Sequence, residues 1–377
     1  MSVSTLHDLT DAAAAPRVVL KIGSSLLVDG EGRARGEWLE SIARDIADLR
    51  RGGQAVIVVS SGAIALGASR LGLERGGRGS LADAQAAASV GQIALASLWS
   101  DKLAAQGLTA AQLLLTLDDL EDRRRYLNAS STLARLLESG AVPVVNENDS
   151  VATEEIRFGD NDRLAARVAQ AARADAVVLL SDVDGLYDHN PREPGAKLVP
   201  LVEGIDDAVR AMADGGSASG LGSGGMTSKL QAAEIAERAG IALAIVNGTH
   251  RAPLGRALGD GTGTLFLPRR RDRARKAWLG GRLHLKGALT VDRGCATALV
   301  GGGSLLAAGL AGVEGDFARG DAVSIRDAEG RAIAHGLVEY AAAECALLQG
   351  RRSAEHAELL GYAPRAAVVH RDHMVLL

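Results

Sequence analysis

Apolar runs that end in short polar tips alternate with helical patterns over residues 17–249. The runs are rich in Val, Ile and Leu, and they read as strands that are buried on both faces. Strands that alternate with helices imply right-handed crossovers and a mostly parallel sheet, so the pattern predicts an α/β fold. The runs are RVVLKIGSS (17–25), QAVIVVSSGAIALG (54–67), AVPVVNEND (141–149), ADAVVLLSDVDG (174–185) and IALAIVNGT (241–249).

The polar tips of these runs are predicted to share one edge of the sheet. Each tip follows the carboxyl end of its strand, and open α/β sheets bind their ligands outside those ends. Two helical segments, 160–174 and 227–240, also begin directly after polar loops. The expected common edge consists of GSS (23–25), SSG (60–62), NEND (146–149), SDVDG (181–185) and NGT (247–249).

The character of the sequence changes near residue 266. The segment 267–281 carries six basic residues and one acid, which suits a linker or a solvated helix. Short strand-like pieces separated by turns follow it and predict a small β-rich domain. A chain of 377 residues is also too long for one ordinary domain. We therefore predict a disordered leader (1–15), a catalytic α/β domain (16–266), a basic linker (267–283) and a β-rich domain (284–371).

Composition and charge exclude several classes of protein. The net charge of −4 and the sequence pI of about 6.1 provide no global basic field for nucleic acid or an anionic membrane. The uncharged stretch 297–313 is short and rich in glycine, which argues against a membrane span. Cys295 and Cys345 are too few for a disulfide framework or a Cys-rich zinc site. The N-terminus has no signal-peptide pattern, so a cytoplasmic protein is expected.

The glycine-rich stretch LGSGGMTSKL (221–230) is typical of a loop that holds phosphate. Its glycines let backbone N–H groups approach an anion, and the N-terminus of the following helix adds partial positive charge. Lys229 supplies a full charge, although its position does not match the usual phosphate-loop pattern. The alternative is a flexible Gly/Ser linker, which the preceding ADGGSASG (213–220) resembles.

Lys21 is a second candidate cation, and it stands inside the first apolar run. A lysine in VVLKIG is costly to bury unless it faces an anion. The alternative is a lysine on an edge strand that reaches solvent. The neighbouring Gly23, Ser24 and Ser25 provide further hydrogen-bond donors at the same point and favour the anion site.

A third candidate is the acidic and amide cluster in NENDSVATEEIRFGDND (146–162). Such a cluster suits recognition of an ammonium group, orientation of the lysines, or binding of a divalent ion. The spacing does not match an EF-hand. The alternative is a solvated loop with an Asp that caps the next helix. The members of the cluster are Asn146, Glu147, Asn148, Asp149, Asp160, Asn161 and Asp162.

As an ordered set, these segments resemble the amino acid kinase family, and within it the members that phosphorylate glutamate. The resemblance extends over nearly the whole chain, from about Arg17 to the end. Each motif is modest alone, but their order and spacing are highly specific. The motifs are VVLKIGSS, VIVVSSGAIALG, VPVVNENDSVATEEIRFGDND, LLSDVDGLYDHNPR, SGLGSGGMTSKLQAA, ARGDAVSIRDAEGRAIAHGLVEY and HRDHM.

The resemblance implies a fold and a reaction. The fold would be a three-layer sandwich around a mostly parallel central sheet, followed by a small β-rich domain similar to a PUA domain. The reaction would be transfer of the γ-phosphoryl group of ATP to the side-chain carboxylate of L-glutamate, the first step of proline biosynthesis. The resemblance also implies Mg²⁺, feedback inhibition by proline and a homo-oligomer, either a dimer or a tetramer. No metal ligand is assigned.

The resemblance further implies roles for individual residues. Lys21 and Lys229 would be catalytic contacts to the phosphates, and Asp162 would organise the two lysines. The residues implied to bind glutamate are Ser61, Gly62, Asp149 and Asn161. The residues implied to bind ATP are Lys21, Gly23, Ser181, Asp182, Ser223, Gly224, Gly225, Met226, Thr227, Ser228 and Lys229.

Two alternative functions stay open at this point. A sibling enzyme would act on acetylglutamate, aspartate, carbamate or UMP, although the stretch 146–162 and the PUA-like tail favour glutamate. An RNA-binding protein that works through its tail is the alternative from another class. Residues 284–371 hold nine Lys and Arg against ten Asp and Glu, which argues against RNA binding because phosphate affinity needs a basic patch.

Overall fold

The computed structural model describes residues 3–151, 161–213, 225–268 and 285–377. The chain divides into two compact units, Met1–Arg271 and Asp272–Leu377. This division falls inside the segment 267–283 that the sequence predicts as a basic linker, and residues 269–283 lie outside the described residues. Among the described residues, no helix has the length and apolar character needed to cross a membrane.

Eight strands of the first unit form one sheet, in the order β3-β4-β2-β1-β5-β7-β8-β6. Neighbouring strands are parallel, except that β7 and β8 are antiparallel. The prediction of a mostly parallel sheet is therefore confirmed. The strands are β1 (Arg17–Ile22), β2 (Ala55–Ser60), β3 (Ala110–Leu115), β4 (Val142–Glu147), β5 (Ala176–Ser181), β6 (Leu201–Glu203), β7 (Ala242–Asn247) and β8 (Thr264–Leu267).

Helices cover both faces of this sheet and complete a three-layer sandwich. Helices α2, α4 and α10 pack in one apolar cluster on one face, whereas α6, α7 and α9 pack in another on the opposite face. The helices are α1 (Ser24–Leu27), α2 (Gly36–Arg51), α3 (Ala63–Leu71), α4 (Leu81–Ala104), α5 (Leu117–Glu121), α6 (Arg123–Glu138), α7 (Asn161–Ala172), α8 (Asp207–Ala213), α9 (Met226–Arg238) and α10 (Pro253–Gly259).

The alternation of side chains along β1 decides which layer Lys21 meets. Leu20 and Ile22 belong to the apolar cluster that contains α2 and α4, whereas Val19 belongs to the cluster that contains α7 and α9. Side chains two residues apart in a strand lie on the same face. Lys21 therefore lies on the face of α7 and α9, at the carboxyl end of a central strand.

Residues 3–15 do not form the disordered leader that the sequence predicts. Val3, Leu9 and Ala15 are buried in the core of the first unit, and residues 7–10 form a short 3₁₀-helix. The side-chain amide of Gln54 donates to the carbonyl oxygens of Leu9 and Ala15 at 2.9 and 2.8 Å. The prediction failed because a few apolar residues, rather than a periodic run, attach this segment to the core.

The second unit is β-rich, as the sequence predicts. Its five-stranded sheet has the order β10-β9-β11-β12-β13, and β9 and β11 are its parallel pair. The last strand lies beyond residue 371, where the sequence prediction ends the domain. The elements are β9 (Leu285–Val291), α11 (Arg293–Val300), β10 (Leu310–Gly315), β11 (Ala322–Arg326), β12 (Ala332–Leu337), α12 (Ala342–Leu348), α13 (His356–Leu360) and β13 (Met374–Leu376).

Helices α3 and α4 cross so closely that two glycines are required at the contact. A Cβ atom on Gly67 would lie 1.8 Å from the Ala87 carbonyl oxygen, and one on Gly91 would lie 1.8 Å from the Ala63 carbonyl oxygen. Both obstacles are backbone atoms, which cannot move aside as a flexible side chain does. The crossing therefore fixes α3, which begins directly after Gly62 in the predicted glutamate site.

We expect Gly91→Ala to destabilise the protein by about 2 kcal/mol or more, because the added methyl group forces the two helices apart. Thermal unfolding followed by circular dichroism measures this change. Gly255→Ala is the matched control, since Gly255 is also helical and a Cβ there meets nothing within 4 Å. An unchanged melting temperature in Gly91→Ala would contradict the close crossing.

Candidate active site

Three buried charged side chains meet at the carboxyl edge of the sheet. Lys21 is the penultimate residue of β1, Asp162 is in the first turn of α7, and Lys229 is in the first turn of α9. The Lys21 Nζ atom lies 2.6 Å from Asp162 Oδ1, and Lys229 Nζ lies 3.4 Å from Asp162 Oδ2. The exposed fractions of Lys21, Lys229 and Asp162 are 8%, 7% and 1%. One carboxylate thus bridges two ammonium groups.

The two lysines keep Asp162 ionised despite its burial. Burial by itself would raise the pKa of the Asp162 carboxyl group, but the charges of Lys21 and then Lys229 outweigh this effect, and the pKa is lowered. Two ammonium groups and one carboxylate leave the cluster with one excess positive charge. A desolvated positive site of this kind favours an anionic ligand.

The start of α9 supplies backbone donors next to this charge. Gly225 precedes the helix in an extended conformation, and Met226, Thr227 and Ser228 form the first turn with Lys229. The free N–H groups and the dipole of a helix N-terminus favour an anion such as phosphate. Ser223 and Gly224, which the sequence also assigns to ATP binding, lie outside the described residues.

Gly23 lies beside the ammonium group of Lys21. A Cβ atom on Gly23 would be in ordinary contact with Lys21 Nζ, at 3.8 Å. Gly23 also precedes α1, where Ser24 and Ser25 begin the helix. The same Cβ atom would lie 3.9 Å from Ser25 Oγ, so Lys21 and Ser25 border one space beside Gly23.

A second group of polar side chains lies next to the charged cluster. The Asn161 Nδ2 atom donates to Ser61 Oγ at 2.6 Å and to Asn146 Oδ1 at 3.0 Å. Asn161 is only 2% exposed, and it is the residue directly before Asp162 on α7. Gly62 has a φ of 113°, which a residue other than glycine rarely adopts, and this lets the chain turn from Ser61 into α3. The structure therefore brings together three predicted glutamate-binding residues.

Asp149 lines a cleft beside this group. The cleft has a volume of about 330 Å³, and Glu147 and Gln92 line it as well. Burial raises the pKa of the Asp149 carboxyl group to about 6, although the charge of Arg78 opposes the shift. Among the described residues, no ion pair to Asp149 accompanies the distant charge of Arg78, and a partly desolvated carboxylate of this kind is suited to an ammonium group from a ligand.

Ser181 and Asp182 lie at the same edge of the sheet, at the end of β5. Strand β5 is adjacent to β1, and the Ser181 carbonyl oxygen accepts from the Gly248 N–H at 2.7 Å. The Ser181 hydroxyl group donates to Asp182 Oδ1 at 3.2 Å, and Asp182 is exposed. Ser181 and Asp182 thus follow the strand next to the one that carries Lys21, at the same edge of the sheet.

Sequence reasoning missed several supporting residues. Asn146 stood in the acidic and amide cluster but was assigned no role, and Gln92 was not considered. The Asn146 Nδ2 atom donates to Gln92 Oε1 at 2.8 Å. The Ser60 hydroxyl group accepts from the Trp99 indole at 2.9 Å. Asn146 could have been found, because it begins the polar tip at 146–149. The alanine-rich sequence around Gln92 gives no indication of a functional residue.

The amino acid kinase family matches residues 16–247 of the chain. This protein belongs to the amino acid kinase family. The PUA domain family matches residues 287–360, within the β-rich second unit. The two matches confirm the amino acid kinase family and the PUA-like second domain that the sequence motifs predict.

Three curated relatives match almost the whole length of this amino acid kinase, and each is called glutamate 5-kinase. The protein from Novosphingobium aromaticivorans is 65% identical over 100% of both chains. The protein from Sphingopyxis alaskensis is 61% identical over 97% of this chain and 98% of its own. The protein from Zymomonas mobilis is 58% identical over 96% of this chain and 91% of its own.

We expect Asp162→Asn to destabilise the unliganded amino acid kinase by about 3 kcal/mol, because two buried ammonium groups lose their shared partner. Thermal or urea unfolding without nucleotide measures the effect. Asp182→Asn is the control, since it removes an exposed carboxylate from the same sheet edge. Equal stability of the two variants would show that the lysines do not depend on Asp162.

Proposed function

We propose that this protein transfers the γ-phosphoryl group of ATP to the side-chain carboxylate of L-glutamate, which gives L-glutamyl 5-phosphate. The observation that carries the proposal is the adjacency of Asn161 and Asp162 at the start of α7. One of these residues belongs to the lysine cluster and the other to the polar pocket with Ser61. An anion site thus lies beside a site with amino acid-binding chemistry. The curated relatives called glutamate 5-kinase support the same reaction.

The proposed reaction needs charge neutralisation more than proton transfer. A glutamate side chain has an ordinary pKa of about 4.3, so the attacking carboxylate is ionised at neutral pH and requires no general base. Two anions must nevertheless approach each other in line. Lys21 and Lys229 can stabilise the negative charge on the phosphoryl oxygens, while Asp162 holds the two ammonium groups in place.

The nucleotide is proposed to lie across the strand edge and the start of α9. Ser181 and Asp182 would contact ATP at the end of β5, and the loop Ser223–Lys229 would cover its phosphates. The described part of this loop supports the proposal, since Gly225 and the first turn of α9 present backbone N–H groups beside Lys229. Lys21 and Gly23 would face the same phosphates from β1.

Glutamate is proposed to bind between the lysine cluster and the cleft. Ser61, Gly62 and Asn161 would contact the amino acid, and Asp149 would pair with its ammonium group. This arrangement would orient the side-chain carboxylate towards Lys21 and Lys229, because the α-amino end is held on the cleft side. Positioning of both reactants in this way accounts for a large part of the rate in phosphoryl transfer.

Mg²⁺ belongs to the proposal as the ion that accompanies ATP. Among the described residues, no group of three or more His, Cys, Asp or Glu side chains is arranged to hold a metal ion. Mg²⁺ usually binds through substrate phosphates and one or two carboxylates, so the described residues are compatible with an ion that enters with the nucleotide. When bound, it would neutralise part of the phosphate charge.

The wider biological role is also part of the proposal. The product would enter proline biosynthesis, and proline would act as a feedback inhibitor. The protein would work in the cytoplasm as a homo-oligomer, either a dimer or a tetramer. We propose no RNA-binding role for the second unit, because acids outnumber basic residues over 284–371.

Trapping of the acyl phosphate with hydroxylamine tests the acceptor. The purified protein is incubated with ATP, Mg²⁺, hydroxylamine and one acid at a time, and the hydroxamate is measured. We expect L-glutamate to give the hydroxamate, with acetylglutamate and aspartate as control acids. Carbamate and UMP are tested as acceptors in parallel assays that measure ADP formation. A clear preference for another acceptor, or no product with L-glutamate, would exclude the proposed reaction.

We expect Lys21→Ala and Lys229→Ala each to lower kcat by about a hundredfold or more, since both charges matter most as the phosphoryl group transfers. Steady-state kinetics with saturating glutamate and ATP measure this loss. Lys197→Ala is the control, because Lys197 is an exposed lysine in the same unit. A kcat like that of the wild type would remove the substituted lysine from the reaction.

The apparent KM for glutamate should rise as the pH falls through about 6, the value to which burial raises the pKa of Asp149. Below that pH the carboxyl group takes up a proton and loses the charge that would pair with the substrate ammonium group. Asp149→Asn should raise KM at pH 8 and lose this pH dependence. If KM depended on pH in the same way in the wild type and in Asp149→Asn, Asp149 would not be the residue that binds the ammonium group.

A further inference from the structure

A line of side-chain amides leads from α4 into the proposed amino acid pocket. Asn146 Nδ2 donates to Gln92 Oε1 at 2.8 Å, and Asn161 Nδ2 donates to Asn146 Oδ1 at 3.0 Å. Asn146 and Asn161 are each 2% exposed, whereas Gln92 is half-buried on the wall of the cleft. These hydrogen bonds therefore connect Gln92 on the cleft wall to the buried Asn161 in the proposed amino acid pocket.

A backbone carbonyl group indicates which end of each side-chain amide donates and which end accepts. The Ser60 carbonyl oxygen can only accept, and it lies 3.4 Å from Asn161 Nδ2. An amide oxygen would be repelled at that place, so the amino end of Asn161 faces it and makes its two shorter bonds to Ser61 and Asn146. Asn146 therefore presents its oxygen to Asn161. Asn146 then presents its amino group to Gln92, which must supply an acceptor.

This direction leaves one hydrogen-bond acceptor and one hydrogen-bond donor for a ligand. The Oδ1 atom of Asn161 is buried and has no hydrogen-bond partner among the described residues. The Ser61 hydroxyl group accepts from Asn161, so its own hydrogen is available to donate. An acceptor and a donor side by side match the ammonium group and a carboxylate of an amino acid.

Gln92 supports this direction, because its Oε1 atom accepts from the buried amino group of Asn146. The Ser60 carbonyl contact is long, and hydrogen bonds at that length are weak. If Asn146 lost its acceptor at residue 92, its buried amino group would gain by turning towards other partners. A turned Asn146 would present a donor to Asn161, and Asn161 would then turn its oxygen inward.

We propose that Gln92 is a positioning residue for amino acid binding: it holds the amide of Asn146, and through it that of Asn161, so that Asn161 Oδ1 faces the substrate ammonium group. This inference rests on the proposed function. Gln92 takes no part in phosphoryl transfer, so its loss should weaken glutamate binding and leave turnover almost unchanged. A residue that only filled space would tolerate loss of its hydrogen-bond acceptor as long as its volume was kept.

Two substitutions of Gln92 separate hydrogen bonding from packing. Gln92→Leu keeps the approximate volume and removes the acceptor, whereas Gln92→Glu keeps an acceptor at the same place. L-Glutamate affinity is measured by calorimetry without ATP, and KM and kcat are measured by hydroxamate formation. We expect Gln92→Leu to raise Kd and KM about tenfold with kcat changed less than about threefold, and Gln92→Glu to stay within about threefold of the wild type.

A double substitution extends the test to the direction of the line. Asn146→Asp alone keeps the acceptor for Asn161, and the Gln92 amide can turn and donate to the new carboxylate, so glutamate affinity should fall less than in Gln92→Leu. Combined with Gln92→Glu, it places two acceptors face to face, and glutamate affinity should fall well below that of either single variant. Melting temperatures of all variants show whether a weak binder is also poorly folded.

The outcomes distinguish this inference from the proposed function. Gln92→Glu binding as weakly as Gln92→Leu, or Gln92→Leu binding like the wild type, would overturn the positioning role. Additive effects in the double variant would overturn it as well. If the wild type binds L-glutamate but forms no hydroxamate, the proposed reaction fails, while the ranking of affinities still tests Gln92. Absence of L-glutamate binding by the wild type would overturn both.

Discussion

Asp162 lies between two buried ammonium groups, and the rest of the site depends on this shared charge. A lysine is costly to remove from water unless an anion compensates it. One carboxylate offsets only part of the charge of two lysines, and the remaining positive charge suits the proposed phosphate ligand. In the proposed reaction, the ion pairs that stabilise the fold also hold the phosphate-binding lysines in place.

The sheet order explains why residues so distant in sequence can share this carboxylate. Strand β1 lies near the middle of the sheet, with β2 on one side and β5 on the other. Helices α7 and α9 pack in the same apolar cluster on the face to which Lys21 belongs. The first turns of both helices therefore reach the end of β1. Alanines in both helices let them pack closely together.

Much of this arrangement could be predicted, and the failures have a common physical cause. A lysine inside an apolar run, polar tips after strands and a glycine-rich helix start are local patterns, and they located Lys21, Asp149 and Lys229. The bonds that Gln92 makes to Asn146, and that Gln54 makes to residues 9 and 15, join segments far apart in sequence. No local pattern encodes such contacts. The raised pKa of Asp149 also depends on burial that only the fold creates.

The adjacency of Asn161 and Asp162 has a consequence for how enzymes of this shape can diversify. Both side chains are in the first turn of α7, so a shift of that helix would displace the proposed acceptor-binding and phosphate-binding groups together. A new acceptor specificity cannot easily be reached by moving the helix. It has to come from the residues around the helix start, on β4 and α4, which can change without disturbing the lysines. The phosphate chemistry would stay constant while the choice of acid varies.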